Sequence, residues 1–296
     1  MSGIDRAGDS PHTTSVSLSV VLLTYNGDRQ LSTCLDSLLP QLDDGCELVI
    51  ADDGSASERT RELIESARDR SRCPVEHAWQ VDRGFRAARA RNVGAMKARG
   101  DVLLFLDHDV VVPAGFIRTL RGLMLPGWMC AGRRVKLDQE STEAILDGRS
   151  KASSLFSPMF ALRCAQARFE GWRYLFPLRD RSPLRGQPQP WRGAAGFCFA
   201  VWRDDFLAVD GFDARYEGYG VEDWDLFARL SHHGVKLGYL PRRSTLVHLW
   251  HREFEHDLDG PGYHMLDGVL KAEAVKAELG CSTISDGDSS TGRSGR

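Results

Sequence analysis

Short apolar runs alternate with stretches of helical periodicity through the first half of the chain. Val16 to Tyr25 ("VSLSVVLLTY"), Glu47 to Ala51 ("ELVIA") and Val102 to Leu106 have strand length, and a shorter strand is expected at Val75 to Trp79. Between the first two runs, Leu31, Cys34, Leu35, Leu38 and Leu39 fall on one helical face. A second helix is expected after a cap near Ser57, an Ala-rich helix over Phe85 to Ala98, and another where Pro113 can open a first turn. Repeated strand–helix units predict a doubly wound, mainly parallel sheet. Order resumes after Gly196 with a strand over Phe197 to Trp202. An acidic helix start at Val221 to Leu230, a strand around Val235 to Leu240, the segment Ser244 to His251 and an amphipathic helix from about Tyr263 follow.

Residues 1–15 and 281–296 are polar and read as a disordered leader and tail, flanking segments 16–135, 136–195 and 196–280. The middle segment, above all Arg149 to Arg192, is rich in Arg and aromatic residues and broken by Pro, and is expected to be an excursion from the sheet. A formal net charge of -3 argues against a nucleic-acid binder held by phosphate contacts. The seven cysteines form no CxxC pair, which suits a reducing compartment and gives no zinc framework. Without a signal-peptide core or an apolar run of about 18 residues, the expected location is cytoplasmic.

Polar groups gather where the predicted strands end: Thr24, Tyr25 and Asn26, then Asp52 and Asp53, then Asp107, His108 and Asp109. Ligands of open α/β sheets bind beyond the carboxyl ends of the strands, so acids distant in sequence can share one crevice. Asp107 and Asp109, two apart, point the same way from an extended segment. Paired carboxylates suit Mg2+ or Mn2+ bound against a diphosphate. Each cluster alone also fits ordinary turn and helix-cap chemistry. No GxGxxG follows the first strand and no GxxxxGK[ST] occurs, which argues against a dinucleotide oxidoreductase and a P-loop hydrolase.

Together, "VVLLTYN", "LVIADDGS", "DRGFRAARARNVGA" and "DVLLFLDHDVVVP" resemble the inverting nucleotide-sugar glycosyltransferases of family 2. "DGFDARYEGYGVEDWDLFARL" resembles a galactosyltransferase-type C-terminal segment, and the likeness runs from about Ser17 to His251 outside the Arg-rich middle. The resemblance implies an α/β A-type glycosyltransferase fold, a single Rossmann-like doubly wound sheet with an acceptor-side C-terminal subregion. Residues 16–135 would be the nucleotide-sugar-binding half and 196–280 the acceptor and catalytic half. It implies donor contacts from Thr24, Tyr25 and Asn26, a uracil contact from Asp53 beside Asp52, and base or diphosphate contacts from Asp82 and Arg91. Asp107 would meet the ribose or the cation's outer shell, and His108, between the two acids, would also border the donor. Asp109 would ligate Mn2+ or Mg2+, joined by His251 or His248.

By the same resemblance Asp223 is the catalytic base and Glu222 holds the acceptor or orients the loop. Trp224, Tyr219 and Asp225 would face the acceptor. Acids at a helix start also favour the macrodipole, the bland alternative for this cluster. Tyr219 stands where the family often has Trp, and Ala194 and Ala195 where relatives often carry an Asn. The expected reaction moves a hexose or N-acetylhexosamine from a UDP-sugar to an acceptor hydroxyl, with inversion and a metal ion. A retaining transferase and a non-catalytic sugar-nucleotide-binding protein remain alternatives. The acceptor (glycan, lipid-linked or small molecule) is unspecified, and the basic middle segment would also suit peripheral membrane contact.

Overall fold

The computed structural model describes residues 16–176, 193–218, 220–252 and 260–284. The expected leader, the 177–192 stretch of the excursion, Tyr219 and the tail beyond Ile284 lie outside the described residues.

The first half runs β1 (Leu18–Thr24), α1 (Asp28–Leu38), β2 (Cys46–Asp52), α2 (Glu58–Arg70), β3 (Val75–Trp79), α3 (Ala87–Lys97) and β4 (Val102–Asp107). It continues through β5 (Val110–Val111), α4 (Phe116–Arg121), β6 (Trp128–Ala131), β7 (Arg134–Lys136), α5 (Gln139–Leu146) and α6 (Pro158–Gln166). The second half adds β8 (Cys198–Trp202), α7 (Arg203–Ala208), α8 (Glu222–His232), β9 (Lys236–Tyr239), β10 (Leu246–His248) and α9 (Pro261–Ala272).

Seven strands form the main sheet in the order β3-β2-β1-β4-β8-β6-β9. β1 is parallel to both β2 and β4, whereas β8 runs antiparallel to β4 and β6. The winding direction reverses between β1 and β4, so a crevice opens beyond their carboxyl ends. The unbroken apolar character of β4 follows from burial on both faces. Leu104 and Leu106 pack with α1 residues Leu31, Leu35 and Leu38, and Phe105 packs on the other face. There its ring lies 4.8 Å from Phe199 and 5.5 Å from Phe212.

A second sheet, β5-β10-β7, was not foreseen. Its strands have two or three residues each, too few to show an alternating pattern. The described part of the expected excursion folds around it: Val135, Leu137, Ile145, Leu155 and Cys164 form a small core with Val111, Val247 and Leu249. Residues 136–176 are therefore a packed layer rather than a loose surface loop. The expected tail also begins later, because Cys281 is buried and Ser282 donates from backbone and hydroxyl to the Asp210 carboxylate, both at 2.7 Å. A lone apolar side chain in a polar run gives no periodicity to read. Among the described residues no helix is long and apolar enough to cross a membrane.

Asp225, expected at the acceptor, belongs to the core instead. It is fully buried on α8, accepts from Arg229 Nε at 2.7 Å and from the Tyr216 hydroxyl at 3.2 Å. Arg229, equally buried, also donates to the carbonyls of Val209 and Gly211 at 2.8 and 2.7 Å. The i, i+4 spacing on an amphipathic helix turns both side chains inward, away from the crevice. Removing one partner of such a pair strands a buried charge. Asp225→Ala should lower unfolding free energy by about 3–5 kcal/mol in urea titrations. Wild-type stability with a raised acceptor KM would restore the acceptor role.

Candidate active site

A cavity of about 660 Å³ occupies the crevice, bounded by the ends of β1 and β4, the start of α8 and the segment after β10. That volume lies within the range of small-molecule sites.

One wall is built from the turns after β1 and β2. The Asp53 carboxylate accepts from Gln80 Nε2 and from the Arg86 backbone at 2.7 Å, and burial pushes its pKa up. Gly54, at φ +93°, lets the chain pass Asp82, because a Cβ there would fall 2.5 Å from the Asp82 Cα. The Tyr25 hydroxyl donates to Asp82 at 3.0 Å. Asn26 adopts φ 47°, donates its backbone N–H to the Ser55 hydroxyl and accepts from the Ala56 N–H. Tyr25, Asn26 and Asp53 line the cavity; Thr24, Asp52 and Asp82 do not. Asp52 is buried between the Ser55 N–H (2.8 Å) and His77 Nε2 (2.9 Å), where it holds the turn. Thr24 is buried in the sheet, and Asp82 fixes Tyr25 from outside.

Arg91 lines the cavity. Its guanidinium is 3% exposed, donating through Nη2 to Asp107 at 2.8 Å and through Nη1 to Glu222 at 3.0 Å. Both terminal nitrogens thus engage carboxylates. Next to it Asn92, missed in the sequence, pins the Phe212 backbone by accepting from its N–H and donating to its carbonyl. Arg91 therefore bridges the end of β4 to the start of α8.

The segment after Asp107 turns instead of staying extended, so Asp107 and Asp109 reach different partners. β4 belongs to the seven-stranded sheet and β5 to the small one, and the chain must change direction between them. Within that turn His108 lies against Gly27, where a Cβ would fall 1.9 Å from its Nε2, and its Nδ1 is 3.2 Å from the Leu23 carbonyl.

Asp109 faces two imidazoles. Its Oδ2 lies 3.4 Å from His248 Nε2 and 3.1 Å from His251 Nε2. Both histidines reach it because β10 ends at His248 and the chain then leaves the strand. Asp109 Oδ1 is buried without a hydrogen-bond partner, and one ligand atom from each residue lies within 4.8 Å of the others. An orphaned buried carboxylate oxygen costs free energy unless a cation or donor meets it. Burial raises the Asp109 pKa, but His248 and His251 outweigh it and hold the carboxyl well below its usual range. Burial lowers the His248 pKa against the opposing pull of the Asp109 charge. One carboxylate and two imidazoles fit a divalent transition-metal ion.

Asp223 faces the same cavity from the first turn of α8. Its Oδ2 accepts from the Gly196 N–H at 2.6 Å and its Oδ1 from the Trp224 N–H at 2.8 Å. Burial, then the neighbouring Glu222 charge, push its pKa up to about 7. The preceding Val221, β-branched, sits at φ 60°, a conformation such residues rarely adopt. That strained step turns the helix start toward the crevice. Trp224 donates from Nε1 to the Ala194 carbonyl at 3.1 Å, so this alanine contributes its backbone. Gln80, Arg86 and Gly196, which anchor the acids, were missed because their contacts come from unremarkable loop positions.

The chain matches the model of glycosyl transferase family 2 over residues 19–206. It belongs to that family. Residues 182–252 also match the model described as the N-terminal domain of galactosyltransferase. Among curated family relatives, validoxylamine A glucosyltransferase of Streptomyces hygroscopicus subsp. limoneus is 30% identical over 74% of this chain and 49% of its own length. The chain thus spans about half the length of that relative. Among solved structures, S. aureus TarS 1-349 in complex with UDP superposes with a TM-score of 0.58 at 14% identity, over 90% of this chain and 68% of that one. GalNAc-T7 with UDP, GalNAc and Mn2+ gives a TM-score of 0.55 at 19% identity, over 81% and 45%. The fold is the A-type glycosyltransferase fold anticipated for a family 2 chain.

Asp223 binds its proton more tightly in the folded protein, near pH 7, than in the unfolded chain. Its charged form therefore opposes folding: the favourable contribution is full below the unfolded value of about 3.9 and is lost as pH rises through the folded value. Asp223→Asn removes this titration. In urea denaturation of metal-free protein, the variant's stability relative to wild type should rise between about pH 4 and 7 and then level off. A pH-independent difference would mark Asp223 as an ordinary carboxylate.

Proposed function

We propose that the protein is a metal-dependent, inverting glycosyltransferase that moves a hexose or N-acetylhexosamine from a UDP-sugar to an acceptor hydroxyl. The observation that carries this reading is Asp109, one oxygen facing two histidines and the other buried without a partner, in a nucleotide-sized cavity that also holds Asp223. Family membership supplies the reaction class, and the folds solved with UDP support the choice of nucleotide. Asp109, His248 and His251 would hold the cation, and their two ring nitrogens favour Mn2+ over Mg2+. When bound, the ion offsets negative charge developing on the departing diphosphate.

The chain's own groups do the rest. Tyr25 and Asn26 border the nucleotide wall, and Asp53, oriented by Gln80 and Arg86, would accept from the uracil imide. Asp223 takes the proton of the acceptor hydroxyl. Two backbone N–H groups fix its plane while lone pairs remain for the incoming proton, and a base poised near 7 works well at neutral pH. Inversion is supported by the state of the neighbouring acids: Asp107 and Glu222 are both bound to Arg91, which suits neither to attack the sugar as a nucleophile. A direct displacement with a single base remains, and it inverts the anomeric carbon. Trp224, beside Asp223, is offered as an acceptor contact. The seven buried free thiols support a cytoplasmic location.

A panel of nucleotide sugars, scored by released UDP with and without Mn2+, tests the reading. Asp223→Asn should slow transfer about 100- to 10,000-fold while keeping Mn2+-assisted UDP binding. Asp109→Asn should lose both. NMR of the product should show the inverted anomer. Undiminished turnover in Asp223→Asn would remove the base, and UDP binding without transfer or donor hydrolysis would leave a sugar-nucleotide-binding protein.

A further inference from the structure

A second cavity, of about 560 Å³, adjoins the first, and Arg134 and Ala195 line both. Among the described residues its wall carries five arginines, Arg133, Arg134, Arg168, Arg173 and Arg242, against one acid, Glu170. That acid already meets the Lys136 ammonium at 3.1 Å. The cavity is thus strongly cationic.

Two of the guanidiniums are held in fixed planes. Arg133 lies 5.2 Å from the Tyr174 ring and 4.7 Å from the Tyr239 ring, and its Nε donates to the Leu240 carbonyl at 3.2 Å. Arg134 lies 4.6 Å over the Phe197 ring. Stacking occupies the faces of a guanidinium, and its N–H fork is the part that matches carboxylate and phosphate. The wall is also built for close approach. Gly171 adopts φ +80°, and a Cβ there would fall 2.0 Å from the Arg134 carbonyl oxygen, so only glycine lets residues 168–174 lie against β7. Holding so many like charges around one cavity is unfavourable until an anion enters it.

We propose that this cavity is an acceptor subsite for an anionic sugar, one bearing a carboxylate or phosphate that docks among Arg133, Arg134 and Arg173 while its hydroxyl reaches into the neighbouring cavity. The assignment rests on the glycosyl-transfer reading of that neighbour and names its acceptor class. A neutral or amine-bearing acceptor would bring no negative charge to Arg133, Arg134 and Arg173.

Isothermal titration of the full chain, without donor or metal, tests it using glucose 6-phosphate and glucuronate as probes, with glucose and glucosamine as comparators. Both anions should bind about tenfold or more tightly than glucose, and Arg133→Gln and Arg173→Gln should each weaken them about fivefold or more. UDP affinity measured with Mn2+ should stay within about twofold of wild type in both variants, showing an intact fold and donor cavity. Equal affinity for charged and neutral sugars, or anion binding unchanged in both variants, would overturn the subsite. So would Arg-dependent binding to phosphatidylglycerol vesicles without binding of either anionic sugar, which would assign the surface to a membrane. Loss of transfer with anion binding intact would count against the donor-site reading and leave the subsite standing.

Discussion

A half-buried carboxylate whose inner oxygen is unpaired is the constraint around which this molecule is arranged. Asp109 lies at the joint between two sheets: β4 ends two residues before it and β5 begins immediately after it. The chain must turn there, and the turn aims the acid at His248 and His251, delivered by β10 of the smaller sheet. Burying a carboxylate costs several kcal/mol unless its lone pairs are met. Two neutral-capable imidazoles and an open oxygen answer that cost incompletely, which is the state expected of a site shaped for a cation. The small sheet, with its satellite core, thus serves to bring the histidines to the main sheet's crevice.

The acids around the crevice are given different work by their surroundings. Asp107 and Glu222 share Arg91, which ties the end of β4 to the start of α8. Asp109 is kept ionised by its imidazoles, and Asp223 is drawn toward neutrality by burial and by the charge of Glu222. Pushing the pKa values of neighbouring carboxylates apart is a general way for one site to provide both a charge and a base. The strain at Val221 belongs to the same arrangement, since a relaxed entry to α8 would aim Asp223 elsewhere. Such strain costs about 1–3 kcal/mol and persists only where the surrounding packing fixes it.

The main sheet, apart from the four-residue β6, was legible because its central strands are long and apolar on both faces, and α1, α3 and α8 show helical periodicity or composition. The small sheet was not: strands of two and three residues lie below the length at which a pattern exists, and they are held by partners distant in sequence. Among the site residues, those defined by a motif converge, with Asp53, Asp109, Asp223, His248 and His251 lining one cavity. The misreadings share one physical cause, because spacing names a residue without saying which way it faces. Asp52 holds a turn, and Asp225 pairs with Arg229 in the core. Both histidines, three apart, meet one acid only because the strand ends between them, which no periodicity reveals.

The most direct test of the central claim reads the coordination sphere itself. Electron spin-echo envelope modulation of Mn2+ bound with UDP should show nitrogen couplings from two imidazoles, one disappearing in His248→Ala and the other in His251→Ala. A spectrum with no histidine nitrogen, or one unchanged in both variants, would contradict the account.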